Sequence, residues 1–187
     1  MNPPDYKTCR EEELWRYVAW HLEGAGLRST LVGGAVVSIY TEGLYRSGDL
    51  DMIPDHYDRN AIPAILEKIA FKPDKTRYFK HPDCSHLYLE FPSGPVELGE
   101  EYPVTPDEIL VEGRILRLLS PTDCVKDRLA GYIHWKFRAG FKQAVLVCRR
   151  QKSRVDLGKV AAWCQKEGGS FAYEELIQSL SEPEVPS

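Results

Sequence analysis

The sequence predicts an α+β protein: a small mixed β-sheet with interleaved helices, followed by a helical subdomain. Two observations carry this. Helical and strand periodicities alternate over the first 119 residues, with strands crowding the middle third, and after Ser120 only the helical period persists. The expected domains are therefore residues 1–119 and 120–187. At 187 residues, 43% hydrophobic and 28% charged, the chain has an ordinary globular composition and enough length to bury a sizeable core.

Each element has a local reason. Thr8 and Glu11 form a T-x-x-E capping box that opens a helix over about 9–24, with Leu14, Tyr17, Val18 and Leu22 on one face and Gly24 and Gly26 at its end. Leu27–Val32 reads as a strand, Gly33-Gly34 breaks it, and a helix runs from Ala35 to Glu42. Leu50–Ile53 alternates with Asp49 and Asp51 as a strand does, and Pro54 stops it. Residues 58–70 carry Ile65, Leu66 and Ile69 at helical spacing. Short strands are expected at Arg77–Lys80, His86–Phe91 and Pro95–Leu98, the last two joined by Pro92-Ser93-Gly94. Glu112-Gly113 between Ile109–Val111 and Arg114–Leu118 signals a hairpin. Ser120-Pro121-Thr122-Asp123 then caps a helix: the serine caps, the proline takes the first turn, and the aspartate faces the positive helix end. Helices follow over about 121–135, 137–150, 155–167 and 171–181, with a frayed tail.

Composition narrows the function classes. The net charge of −4 offers no broad basic field, so any nucleic-acid partner must be gripped locally. The polar start MNPPDYKTCREEE is no signal peptide, and no apolar run approaches the ~18 residues of a membrane span, so a cytoplasmic protein without membrane contact is expected. Five scattered cysteines, Cys9, Cys84, Cys124, Cys148 and Cys164, lack C-x-x-C spacing. They read as buried thiols, not as a disulfide frame or a zinc site. The histidines show no H-x-x-x-H or H-E-x-x-H spacing. Trp15, Trp20, Trp135 and Trp163 read as helix-packing residues, as does Tyr40, while Tyr45 and Tyr57 flank the stretch that carries the chemistry.

That stretch is Val32-Gly33-Gly34-Ala35 followed by Arg46-Ser47-Gly48-Asp49-Leu50-Asp51. Asp49 and Asp51 are two apart on a strand, so both carboxylates project from one face. They repel unless a cation lies between them, and hard divalent ions such as Mg²⁺ favour such oxygen pairs together with substrate phosphates. A solvated charged edge is the plain alternative for D-x-D alone. Gly33-Gly34 at a strand-to-helix junction lets backbone N–H groups approach phosphate oxygens, although a tight turn also explains a G-G pair. Taken together they supply a phosphate cradle and a metal-binding pair on adjacent elements.

The G-G, spacer, D-x-D arrangement resembles the nucleotidyltransferase fold of the DNA polymerase beta superfamily. Arg46-Ser47 before the pair is similar to AbiEii-type nucleotidyltransferases. Val32–Ala35, Leu89–Pro95 and Ser120–Ala130 look like a group of bacterial nucleotidyltransferase-like proteins, over about residues 28–170. The resemblance implies transfer of NMP from an NTP to a hydroxyl on RNA, tRNA, protein or a small molecule. It also suggests a toxin–antitoxin setting and a partner protein. It implies that Gly33, Gly34 and Ser47 contact the triphosphate, with Arg46, Lys126 and Arg128 in the nucleotide-binding set. Asp49 and Asp51 would hold Mg²⁺ (or Mn²⁺), and a third carboxylate from a neighbouring strand would complete the site: Glu90, with Glu97 the alternative. Both are glutamates where the superfamily more often has aspartate. Lys136 and Lys142 are further lysines of the helical part. The basic run Arg149–Arg154 reads as a helix terminus rather than an RNA grip. Two other classes remain open: a nucleotide-binding or regulatory module of the same fold without turnover, and a phosphohydrolase or nuclease, which leaves Gly33-Gly34 unexplained.

Overall fold

The computed structural model describes residues 1–56, 58, 60–75, 77–99 and 104–183. The described elements, in chain order, are α1 (Glu11–Gly24), β1 (Ser29–Val32), α2 (Gly33–Tyr40), β2 (Asp49–Pro54), α3 (Ala61–Lys68), β3 (Lys72–Lys75), β4 (Tyr78–Lys80), β5 (Tyr88–Glu90), β6 (Asp107–Val111), β7 (Arg114–Leu118), α4 (Pro121–Trp135), α5 (Arg138–Arg150), α6 (Leu157–Lys166) and α7 (Ser170–Ser181). They form two compact units: Met1–Val96 with Thr105–Leu119, and Glu97–Val104 with Ser120–Ser187. Among the described residues no helix is long and apolar enough to cross a membrane.

The first unit holds a seven-stranded mixed sheet in the order β3-β4-β5-β2-β1-β7-β6. β1 runs antiparallel to β2 and parallel to β7, and β2 runs parallel to β5. Burial alternates along β2: Leu50 and Met52 are fully buried while Asp49, Asp51 and Ile53 are not. The apolar and acidic residues thus point to opposite faces, as the period of two requires. Helices α1 and α2 pack on each other and on the sheet, α1 against β7, β1 and β2, and α2 against β2 and β1. Leu14, Trp15, Val18, Val36 and Val37 of these helices and Leu31, Leu50 and Met52 of the sheet are fully buried in the core. The β6–β7 hairpin closes through Glu112 and Gly113, both at positive φ, the geometry of a two-residue type I′ turn.

In the second unit α4 packs on α5, α6 and α7, and α7 packs on α5 and α6. The Ser120 cap forms as expected: its Oγ accepts the Asp123 N–H at 3.1 Å, and Pro121 occupies the first turn. Trp163 is buried and donates its indole N–H to the Leu98 carbonyl at 3.0 Å. Trp135, at the end of α4, departs from the packing role expected of it and is 76% exposed.

Three local expectations are corrected. Thr8 does not cap α1; its hydroxyl donates to Asp5 Oδ2 at 3.0 Å, and the helix starts at Glu11, with the Glu13 carboxylate accepting the Arg10 N–H at 2.8 Å. The expected strand at Pro95–Leu98 is absent, leaving an isolated bridge at Leu98, because Pro95 brings no N–H to a ladder. The sheet instead gains β3, whose Lys-Pro-Asp-Lys sequence shows no alternation and lies at the sheet edge, where proline and charge are tolerated.

Candidate active site

Two strand registers build the acidic centre. Asp49 and Asp51 extend from the same face of β2, and the parallel register with β5 sets Asp51 opposite Glu90 and Asp49 opposite Tyr88. Ligand oxygens of Asp49, Asp51 and Glu90 lie within 4.8 Å of one another. Val32, the last residue of β1, pairs with Asp51 from the other side. The chain therefore turns into α2 directly beside that carboxylate.

The glycines occupy the first turn of α2 and are both buried. Gly33 sits at φ +73°, and a Cβ placed on it would stand 2.4 Å from Asp51 Oδ2. A Cβ on Gly34 would stand 2.7 Å from Ser47 Oγ. Both positions are thus restricted to glycine by the acidic cluster and its support, and Gly33 by its backbone as well. The start of α2, whose first N–H groups have no acceptor within the helix itself, thus lies beside Asp51.

Neutral hydroxyls orient Asp49. Ser47 Oγ donates to Oδ1 at 2.8 Å and Tyr88 Oη to Oδ2 at 3.2 Å. Burial, then the adjacent Asp49 charge, pushes the Tyr88 phenol up to about 12, so it remains a donor. Ser47 and Arg46 are held in turn by Glu11, a carboxylate 1% exposed at the start of α1. Glu11 Oε1 accepts the Ser47 N–H at 2.7 Å and Arg46 Nε at 3.0 Å. Burial alone would raise the Glu11 pKa, but hydrogen bonds from its own backbone, Ser47 and Arg46 outweigh it and hold the carboxyl below its ordinary value. Glu90 carries a cationic partner, Arg77, whose Nε lies 2.8 Å from Oε1.

The expected site residues are distributed as follows. Gly33, Gly34, Ser47, Asp49, Asp51 and Glu90 come together in the first unit, with Arg46 one step behind Ser47 on Glu11. Glu97, exposed and in no strand, belongs to the second unit. Lys126 and Arg128 also belong to that unit: Lys126 is 3% exposed and paired with Asp123 at 3.1 Å, and Arg128 pairs with Asp127 and Gln143. Arg149 donates to the Ser179 and Glu182 carbonyls, a helix-terminal use of a basic side chain. Tyr40 donates to the Leu119 carbonyl in the core, and Tyr57 lies outside the described residues. Sequence reasoning missed Tyr88, Arg77 and Glu11. Tyr88 had a signal, since it is two residues from Glu90 on the same strand face. The other two had none, because each acts across the fold.

The donor set fits a hard divalent cation: oxygen ligands only, convergent, with a closely approached backbone beside them. Comparison with solved structures adds the fold. The chain matches an antigenic nucleotidyltransferase-like protein from Paracoccidioides brasiliensis with a TM-score of 0.57 and 15% identity, over 88% of this chain and 92% of that one. The fold is nucleotidyltransferase-like. The antibiotic-resistance factor ANT(2'')-Ia matches in its solution structure with a TM-score of 0.53 and 16% identity, over 87% of this chain and 94% of that one. Its crystal structure in complex with adenylyl-2''-tobramycin matches with 0.53 and 15%, over 83% and 95%. No protein-family model and no curated protein sequence matches the chain.

Proposed function

We propose that this protein transfers a nucleoside monophosphate from an NTP to a hydroxyl acceptor in a reaction that depends on Mg²⁺ or Mn²⁺. The observation that carries the reading is the convergence of Asp49, Asp51 and Glu90 beside the Gly33-Gly34 turn, on a nucleotidyltransferase-like fold. The carboxylates would hold the divalent ions, which when bound neutralise phosphate charge and acidify the attacking hydroxyl. The chain's own part is positioning. Ser47 and Tyr88 fix both oxygens of Asp49. The N–H groups at the start of α2 face the triphosphate. Lys126 and Arg128 are assigned to the triphosphate by the resemblance, with residues 1–119 as the catalytic core and 120–187 as the helical subdomain.

The acceptor belongs to a class with an accessible hydroxyl. ANT(2'')-Ia, seen with an adenylylated tobramycin, favours testing a small polyol amine alongside RNA, tRNA and protein. A toxin–antitoxin setting with a protein partner is the finer form of the reading and follows from the AbiEii-like motif. The decisive experiment incubates the protein with labelled NTPs and Mg²⁺ or Mn²⁺ in the presence of total RNA, cell lysate or tobramycin. Transfer by wild type that is lost in Asp49→Ala/Asp51→Ala supports the reading, and equal labelling by the two sinks it.

One observation favours a second reading, a nucleotide-binding or regulatory module without turnover: Arg77 already neutralises Glu90. Calorimetry separates the two. NTP binding without labelling supports the module, and absence of binding removes both.

A further inference from the structure

A second set of ligand atoms, sharing no residue with the acidic centre, converges in the first unit. Cys9 lies just before α1, and Cys84 and His86 lie between β4 and β5. One ligand atom from each falls within 4.8 Å of the other two. Both cysteines are buried, at 2% and 3% exposure, and His86 is exposed at their side.

The histidine's hydrogen bond fixes what it offers. His86 Nε2 lies 2.9 Å from the Cys9 carbonyl oxygen. A carbonyl only accepts, so Nε2 carries the hydrogen, and the neutral ring keeps its lone pair on Nδ1. Nδ1 is the nitrogen that faces Cys84 Sγ, at 3.9 Å. An imidazole that donates one N–H to a backbone carbonyl while presenting the other nitrogen to a common point has the arrangement by which proteins orient a metal-ligating histidine. The neighbouring His81 is excluded from the set, because its Nδ1 accepts the Asp83 N–H at 3.1 Å and its ring stacks on Tyr6.

We infer that Cys9, Cys84 and His86 form a binding site for one Zn²⁺-class cation. Two sulfurs and an imidazole nitrogen select a borderline-soft d¹⁰ ion over Mg²⁺, the converse of the all-oxygen centre. Tetrahedral zinc requires donor separations of about 3.5–3.8 Å, so the three atoms need to close by about 1.3 Å at most. His86 is the exposed member of the set, so solvent reaches the site from its side. The ion would join the segment ahead of α1 to the segment ahead of β5. Cys9 is two residues from Glu11, which holds Ser47, and His86 is two residues from Tyr88, so the clip would stabilise the segments behind both supports of Asp49. This inference does not rest on the proposed nucleotidyl transfer.

Cobalt gives the test. The full chain, stripped of metal under a non-thiol reductant, is titrated with Co²⁺ in an Asp49→Asn/Asp51→Asn background that removes the oxygen site. A thiolate-to-cobalt charge-transfer band saturating at one equivalent is expected. Zn²⁺ should abolish it and raise the melting temperature. His86→Gln, a surface change, should weaken Co²⁺ at least tenfold with the far-UV circular dichroism unchanged, and Cys84→Ser should remove the band. The inference is overturned by absence of the band in reduced, folded protein, or by a band that survives both substitutions. It is also overturned by a Cys9–Cys84 disulfide that still forms when Zn²⁺ is present in excess.

Discussion

The acidic centre and the thiol–imidazole cluster share one unit and contain three candidate ligands each, but they are assembled by opposite routes. The acidic centre takes two of its ligands from a single strand, where the period of two guarantees a common face, and its third from the adjacent strand in register. The thiol–imidazole cluster takes one ligand from near the N-terminus and two from a loop some 75 residues later. The difference teaches where a sequence carries chemical information. Ligands on one element advertise themselves by spacing, whereas ligands joined by packing do not.

The sharpest way to break the comparison is to remove the strand-borne pair. Asp49→Asn/Asp51→Asn should lower NMP transfer by about a thousandfold or more, as loss of metal-based charge stabilisation worth several kcal/mol implies, while leaving the cobalt–thiolate band intact. Loss of both properties together would show a single coupled site.

Gly33→Ala comes next. It forces a side chain into positive φ and against Asp51 Oδ2, at a cost of about 1–3 kcal/mol. A melting temperature lower by several degrees is expected, with weaker Mn²⁺ binding measured by electron paramagnetic resonance. Gly26→Ala has the same sign of φ and open space around it, so it is the control that isolates the clash from the backbone strain.

Glu11 sharpens the contrast through pH. Its folded pKa lies below the ordinary 4.5, so the stability it contributes is fully present above that value and is lost as pH falls through the folded pKa. Denaturant titrations from pH 7 downward should show a shallower acid-side decline in Glu11→Gln than in wild type. The smallest effect belongs to Arg77→Ala. Arg77 is half-exposed and its pairing is screened by solvent, so freeing Glu90 should tighten Mn²⁺ binding only a few-fold. A larger gain would favour the regulatory reading, with Arg77 holding the centre in reserve.

Legibility followed the same divide. Asp49, Asp51, Gly33 and Gly34 could be read because β1, α2 and β2 follow one another with clear local signals. The helices after Ser120 were nearly as plain, α4 and α6 having side-chain caps and α5 an apolar face. β3 escaped because an edge strand buries little and so needs no alternation. The expected strand at Pro95–Leu98 failed because apolar residues around a proline mimic a ladder that the missing N–H prevents. Glu11 reads in the sequence as the capping-box partner of Thr8; in the fold its carboxylate is buried and accepts from Arg46 and Ser47 instead. The cysteines lacked metal spacing in the chain and acquired it in the fold.

The parallel pairing of β2 with β5 makes the charge at the centre a matter of counting. A slip of one position would set Leu89 opposite Asp51 and turn Glu90 toward the apolar side, removing a full negative charge without altering a single residue type. A one-residue insertion in the loop between α3 and β3 can be absorbed, but one within Tyr88–Glu90 cannot. Any redesign of the chain must preserve the parity of that three-residue strand before it preserves anything around it.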